Sequence, residues 1–331
     1  MQKGFWKKLK KPIMVLAPMA NVTDAAFRPL IAKYGKPDVM WTEFVSCDGL
    51  VSPGKNALLI DLQYSESERP IVAQFFGSKP ENFYKCALLA QELGFDGIDI
   101  NMGCPDRNVE KQLAGAALIK NPRLAQEIIK ETQRGAGPLP VSVKTRIGYS
   151  KDTLDEWLPL LLETNLAAIT LHARTRKEMS LVPAHWDAIA RAVEIRNRYD
   201  ASENHTLILG NGDAIDLEDA KEKARTTGAD GVMIGRGIFG NPWLFSKEKN
   251  ANTIPLKEKL EVMLEHTHLF EKTFTDKNTN KLFKNFDVMK KHYKAYVSGF
   301  DGAKELRVKL MSTKSASEVE EIVREYITTL E

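Results

Sequence analysis

Cysteine is scarce in this chain, and its three cysteines, Cys47, Cys86 and Cys104, fall in no C-x-x-C spacing. That excludes a disulfide framework and a thiolate zinc site. No apolar run approaches the roughly 18 residues needed to span a bilayer. The start, Met1 to Lys8, has no signal-peptide apolar core, so a cytoplasmic protein without membrane contact is expected. Acids and histidines form no group with metal-ligand spacing, and no dinucleotide-binding βαβ unit is visible. A large excess of one charge is missing too, since the net charge is only +3.

The composition, 43% hydrophobic and 27% charged over 331 residues, describes an ordinary globular protein with ample core. Its basic residues are unevenly spread. Lys3, Lys7, Lys8, Lys10 and Lys11 crowd the first eleven residues without an acid, and residues 272–314 hold eleven Lys/Arg against four Asp/Glu. Both stretches suit either a phosphate backbone or a plain solvated lysine surface.

Eight short β-prone runs recur along the chain: 13–19, 39–44, 71–76, 97–102, 141–147, 168–174, 206–213 and 231–237. Candidate helices separate them, and runs as apolar as Ile13-Met14-Val15-Leu16-Ala17 suit strands buried on both faces. The expected fold is α/β, a (β/α)8 TIM barrel. Gly94-Phe95-Asp96-Gly97-Ile98 is echoed by Gly228-Ala229-Asp230-Gly231-Val232, each a helix cap leading into a strand. From Pro255 the spacing of Leu260, Met263, Leu264, Val288, Met289, Tyr293 and Tyr296 is helical throughout. The chain therefore divides into a barrel over 1–250 and a C-terminal all-α helical bundle over 251–331.

In a parallel barrel the chemistry sits at the carboxyl ends of the strands. Cys104 falls just past such an end, in Asp99-Ile100-Asn101-Met102-Gly103-Cys104-Pro105. A thiol there can be a small packing hydrophobe, but Gly103, Pro105 and polar Asn101 shape the turn for a site. Gly210-Asn211-Gly212-Asp213 and Ile234-Gly235-Arg236-Gly237 end the last two strands. Such turns hold a phosphate on bare N–H groups, with Arg236 adding charge. Lys144 and His172 belong either to an interior polar network or beside a redox ring, where a cation stabilises developing negative charge. His185 and His205 read as loop surface, Cys86 as core, and His266 and His268 as facing different sides of one helix.

Taken together, Ala17-Pro18-Met19, Val22-Thr23-Asp24, Thr42-Glu43-Phe44, Asp99 to Pro105, Leu113-Ala114-Gly115-Ala116, Val143-Lys144-Thr145-Arg146, His172-Ala173-Arg174-Thr175, Asn211-Gly212-Asp213 and Met233-Ile234-Gly235-Arg236 resemble the tRNA-dihydrouridine synthases, the bacterial B-type branch most nearly. The resemblance implies a barrel that binds FMN, is reduced by NADPH docking transiently, and reduces the C5–C6 double bond of a tRNA uridine. Hydride would pass to C6 and Cys104 would give the proton to C5. By the same motifs Pro18, Met19, Gln74, Lys144, His172, Asn211, Gly212, Asp213, Gly235 and Arg236 would contact the cofactor. Asn101, Arg146 and Arg174 would meet the flipped-out base, and Lys290, Lys291, Lys294 and Arg307 the tRNA backbone. A monomer without metal is implied.

One segment departs from the pattern. After Thr175 many members carry a Gln-Gly-Tyr-type run, whereas this chain has Lys177-Glu178-Met179-Ser180-Leu181-Val182 before Pro183. The change bears on how the nucleotide is seated. An FMN barrel that reduces a free pyrimidine or an enoate shares the flavin cradle and needs no lysine-rich helical domain.

Overall fold

A computed structural model describes residues 3–330 apart from 201, 203, 250–252 and 277. The expected boundary at 250/251, and Lys277 of the basic stretch, lie outside the described residues. The first units are β1 (Ile13–Leu16), α1 (Phe27–Tyr34), β2 (Met40–Ser46), the short α2 (Cys47–Leu50) and α3 (Lys55–Leu58), β3 (Ile71–Phe76) and α4 (Pro80–Glu92). Next come β4 (Gly97–Met102), α5 (Arg107–Glu110), α6 (Pro122–Ala136), β5 (Val141–Arg146), α7 (Leu154–Leu162), β6 (Ala168–His172), α8 (Trp186–Tyr199), β7 (Leu207–Asn211), α9 (Leu217–Thr227) and β8 (Gly231–Ile234). Helices α10 (Leu256–Phe274), α11 (Lys290–Tyr296), α12 (Ala303–Met311) and α13 (Ala316–Thr328) follow.

The eight strands are parallel and pair in the order β1-β8-β7-β6-β5-β4-β3-β2. A Val15–Val39 bridge brings β1 back to β2 and closes the ring. Alternation along β1 builds two cores at once: Ile13, Val15 and Ala17 join the inner cluster with Trp41, Val72, Leu209 and Met233, while Met14 and Leu16 pack outward against the helices. The barrel is thus a filled core, and only its upper layer is free to hold a ligand.

Local chemistry sets the helix ends. Asn121 caps α6 with Pro122 behind it, Asp216 caps α9, and Gly228 at φ 69° ends that helix. The repeated Gly-x-Asp-Gly has one structural meaning: Asp96 accepts the Ile71 N–H and Asp230 the Ile208 N–H, both at 2.8 Å, so each aspartate pins the start of its strand to the start of a neighbour.

Several strands stop earlier than their apolar runs suggest. β1 ends at Leu16, β6 at His172, β7 at Asn211 and β8 at Ile234, because the strand ends peel away from their neighbours to line a cavity. Beyond the barrel an isolated antiparallel bridge, Thr275–Leu282, interrupts an otherwise helical region. Lys3 corrects the reading of the N-terminal lysines: it is buried, and its ammonium bonds the Ala167 and His205 carbonyls, closing the barrel floor. Lys11 pairs with Asp230 at 2.5 Å. These two lysines are therefore committed within the fold, and His205 is partly buried rather than loop surface.

Candidate active site

A cavity of about 730 Å³ opens at the carboxyl ends of β1, β5, β6, β7 and β8. Its wall includes every residue expected at the cofactor except Gln74: Pro18 and Met19, Lys144, His172, Asn211 with Gly212 and Asp213, and Gly235 with Arg236. Arg174 and Ser180 close one side, and Ile215 and Met233 add apolar surface. The sequence assigned none of Ser180, Ile215 and Met233 to the cofactor; Met233 carried a signal, being two residues before Gly235 on an alternating strand.

Lys144 donates to Asn211 Oδ1 at 3.1 Å, and Asn211 spends its own amide on the Met233 carbonyl at 2.8 Å. Burial, with Arg146 nearby, lowers the Lys144 ammonium to about 8. His172 is pushed far down by burial and by the cations Lys144, Arg146, Arg174 and Arg236, so it is neutral. Arg174 faces its Nε2 at 3.2 Å. An arginine can only donate, so Nε2 accepts and the ring proton sits on Nδ1.

Arg174 is buried and also clamps Asp213, whose other oxygen takes Arg236 at 2.8 Å. Asp213 is held below the usual carboxylate range by its bond to Arg174. Asp213 thus acts here by aiming two arginines, one inward and one, Arg236, with its head open to solvent.

Gln74, Asn101, Arg146 and Cys104 form a second layer beside this wall. Gln74 is fully buried, donating to Asp99 at 2.6 Å and accepting from Asn101 at 3.1 Å. Asn101 Oδ1 accepts the N–H groups of Gly103, at 3.2 Å, and Cys104, at 2.9 Å. Both ends of Asn101 are engaged inside the protein, and its carbonyl shapes the turn that presents the thiol. Arg146 bonds the carbonyls of Gly103, Thr175 and Met179. It thereby staples the Cys104 turn to the divergent loop after β6, where Met179 takes a φ of 55°. Burial pushes the Cys104 thiol up, which keeps it protonated near neutrality.

The two glycine turns suit an anionic group. Gly212 has a φ of 130° and a Cβ there would lie 2.9 Å from Ala184 Cβ, while a Cβ on Gly237 would lie 2.5 Å from the Ile215 carbonyl oxygen, so the β8 loop meets the β7 loop only because Gly237 is bare. A Cβ on Gly235 would enter the cavity wall against Ala17 and Met19. The result is a slot with an apolar side, a side bearing Lys144 and His172, and a side-chain-free end beside Arg236. A flat ring with a phosphate tail fits it.

Among the residues expected to meet RNA, Lys294 is exposed, Lys290 pairs with Asp287 at 2.5 Å, Lys291 is half-buried, and Arg307 bonds the Val297 carbonyl at 2.7 Å. His268 is exposed on Glu320, whereas His266 is fully buried on the other side of α10, as their spacing implies. Cys86 is core.

The model of the family described as dihydrouridine synthase (Dus) matches residues 15–330. The chain belongs to the dihydrouridine synthase family. Two curated members, a "Probable tRNA-dihydrouridine synthase" of Staphylococcus aureus (strain MRSA252) and a "Probable tRNA-dihydrouridine synthase 2" of Bacillus subtilis (strain 168), are each 42% identical to it over 328 residues. The alignments cover 98% of this chain and 96% and 97% of theirs. Among solved structures, histamine dehydrogenase from Rhizobium sp. 4-9 superposes with a TM-score of 0.53 at 12% identity, covering 77% of this chain and 48% of that one. The last likeness shows the barrel fold alone. Dihydrouridine synthases are flavin-dependent oxidoreductases.

Proposed function

We propose that the protein is a tRNA-dihydrouridine synthase that binds FMN in the barrel mouth, takes reducing equivalents from NADPH and reduces a tRNA uridine across C5–C6. Bound FMN would supply the hydride. The observation that carries the reading is a protonated, partly shielded thiol, Cys104, held on its turn by Asn101 beside a slot with a cationic side and a phosphate end. Asn211, Gly212, Gly235 and Arg236 would hold the phosphate, Pro18 and Met19 would face the ring, and the Lys144 ammonium would sit where negative charge grows on it. His172 would offer its Nδ1–H to the same edge. Cys104 would transfer its proton to C5 as general acid, leaving a thiolate near Lys144 and Arg146 that takes a proton back from solvent.

The uracil must leave the tRNA stack to reach this layer, at a cost of about a few kcal/mol. Residues 1–250 then act as the flavin barrel and 251–331 as the part that grips RNA, with Lys294 the most open of its expected contacts. Incubating the protein with FMN, NADPH and tRNA from cells lacking dihydrouridine, then mapping dihydrouridine along the RNA, tests the reading. A signal at defined positions is expected. Reduction of free uridine or an enoate in place of tRNA would overturn it.

A further inference from the structure

Lys284 belongs to the basic stretch that the sequence assigns to RNA, yet its ammonium does not face solvent. It lies 2.5 Å from Glu43 Oε2 and 2.9 Å from Asp61 Oδ1, with its side chain 13% exposed and its head over the Phe274 ring. Glu43, on β2, is itself buried, and its other oxygen, Oε1, accepts the N–H of Asn21 at 2.5 Å. Asn21 holds a φ of 55° and stands two residues beyond Met19, whose N–H bonds Thr23 Oγ1 at 2.9 Å. An unbroken path therefore runs from the segment between α10 and α11, through one carboxylate, to the loop that carries Pro18 and Met19 into the cavity.

An ion pair is an expensive way merely to join two surfaces, since apolar residues would hold them at no desolvation cost. What the charge supplies is a directional anchor for the Glu43 carboxylate. Buried Asp24 stands nearby and caps α1 through the Ala26 and Phe27 N–H groups. Without the Lys284 cation, Glu43 would stand beside buried Asp24 with its Oε2 unpaired, and its Oε1 would lose the anchor that keeps it on the Asn21 N–H. Lys291 approaches the same acids from α11 but stands further off.

We propose that Lys284 is a positioning residue for the flavin: by holding Glu43 it fixes the Pro18–Met19 wall, so the C-terminal helical segment takes part in shaping the cofactor slot. The inference rests on the reading of that slot as a flavin site.

The test titrates FMN into the full-length protein, stripped of flavin, and follows quenching of flavin fluorescence and the visible spectrum. Wild type is compared with Lys284→Met, Lys284→Arg, Glu43→Gln and the Lys284→Met/Glu43→Gln pair, each checked for fold by circular dichroism. Lys284→Met is expected to weaken FMN binding by about tenfold or more with an altered flavin band, since it leaves a buried charge without its partner. Lys284→Arg should restore most of it, and the double variant should be no weaker than the weaker single one. Should Lys284→Met not fold, a folded Glu43→Gln must show the same loss. Unchanged FMN affinity with weakened tRNA binding would return Lys284 to the RNA surface, and additive losses in the double variant would break the path through Glu43; either overturns the proposal. Wild-type protein that binds no FMN would instead sink the flavin reading.

Discussion

Cys104 combines two properties that pull against each other, reach and shielding. Its turn follows the carboxyl end of β4 and leaves the thiol partly exposed, while burial pushes the thiol above its ordinary range. Cys104→Ala is expected to leave FMN binding and NADPH oxidation largely intact while dihydrouridine formation drops by about 10²-fold or more; stopped-flow separation of the two half-reactions checks it. Retained activity would remove the thiol from the mechanism. Lys144 is shifted in the opposite direction, downward, and its role too is lost on the alkaline side. With its ammonium lowered to about 8, it is charged at pH 7 and loses its charge as the pH rises through that value. Flavin reduction should therefore slow above pH 8, and Lys144→Met should be slow at all pH values with that inflection gone. A wild-type rate of flavin reduction flat from pH 7 to 9.5 would count against the cation's place beside the ring.

Among the elements, the turns after β7 and β8 do their work by lacking side chains. Gly237 is the more constrained, because a methyl there would meet the Ile215 carbonyl oxygen at 2.5 Å. Gly237→Ala should part the two loops and raise the FMN dissociation constant by about tenfold, with riboflavin, which has no phosphate, affected far less. Equal effects on the two ligands would move the phosphate elsewhere. The loop after β6 shows a different economy: Arg146 reaches the Thr175 and Met179 carbonyls, and Arg176 pairs with Glu110 on α5. Backbone acceptors do not depend on which side chains the loop carries, so the staple to the Cys104 turn is tolerant of substitution in the loop.

At the scale of the whole molecule, the barrel and the last helices meet over a buried aromatic cluster. Phe27 of α1 stacks on His266 of α10 at 4.4 Å, and His292 of α11 packs edge-on to both. Burial holds both histidines neutral, His292 down to about 3. In the unfolded chain they take up protons below about pH 6.5, so each removes stability as the pH falls, by about 1.4 kcal/mol per pH unit. Asp24 and Asp99, raised by burial to about 6, act in the opposite sense below that pH. His292→Phe should isolate the histidine's share: relative to wild type, its urea stability should improve by about 1.4 kcal/mol between pH 8 and 5.5. A constant difference across that range would mean the histidine is charged in the fold. On the outer face, Lys294→Glu should weaken tRNA binding and lower its salt dependence more than Lys290→Glu, whose lysine is already paired with Asp287. Filter binding at several salt concentrations decides between them.

What the sequence determined by itself was whatever is local. Apolar runs and caps specified eight strands, the Gly-x-Asp-Gly echo marked two strand starts, and the glycine turns marked the ends of β7 and β8 that line the cavity, since each depends on a few adjacent residues. Strand ends were overrun at Leu16, His172 and Ile234, because where a strand leaves its neighbour depends on what it lines. The tertiary structure alone decided how polar side chains are spent. Nothing adjacent in the chain shows that Lys3 is buried in the barrel floor, that Asp213 aims Arg174 and Arg236, or that Asn101 shapes the Cys104 turn. Lys284 and Glu43 are 241 residues apart. Burial and charge pairing are properties of positions in space, and a cation written among lysines can end as the partner of a carboxylate behind the Pro18–Met19 wall of the cavity.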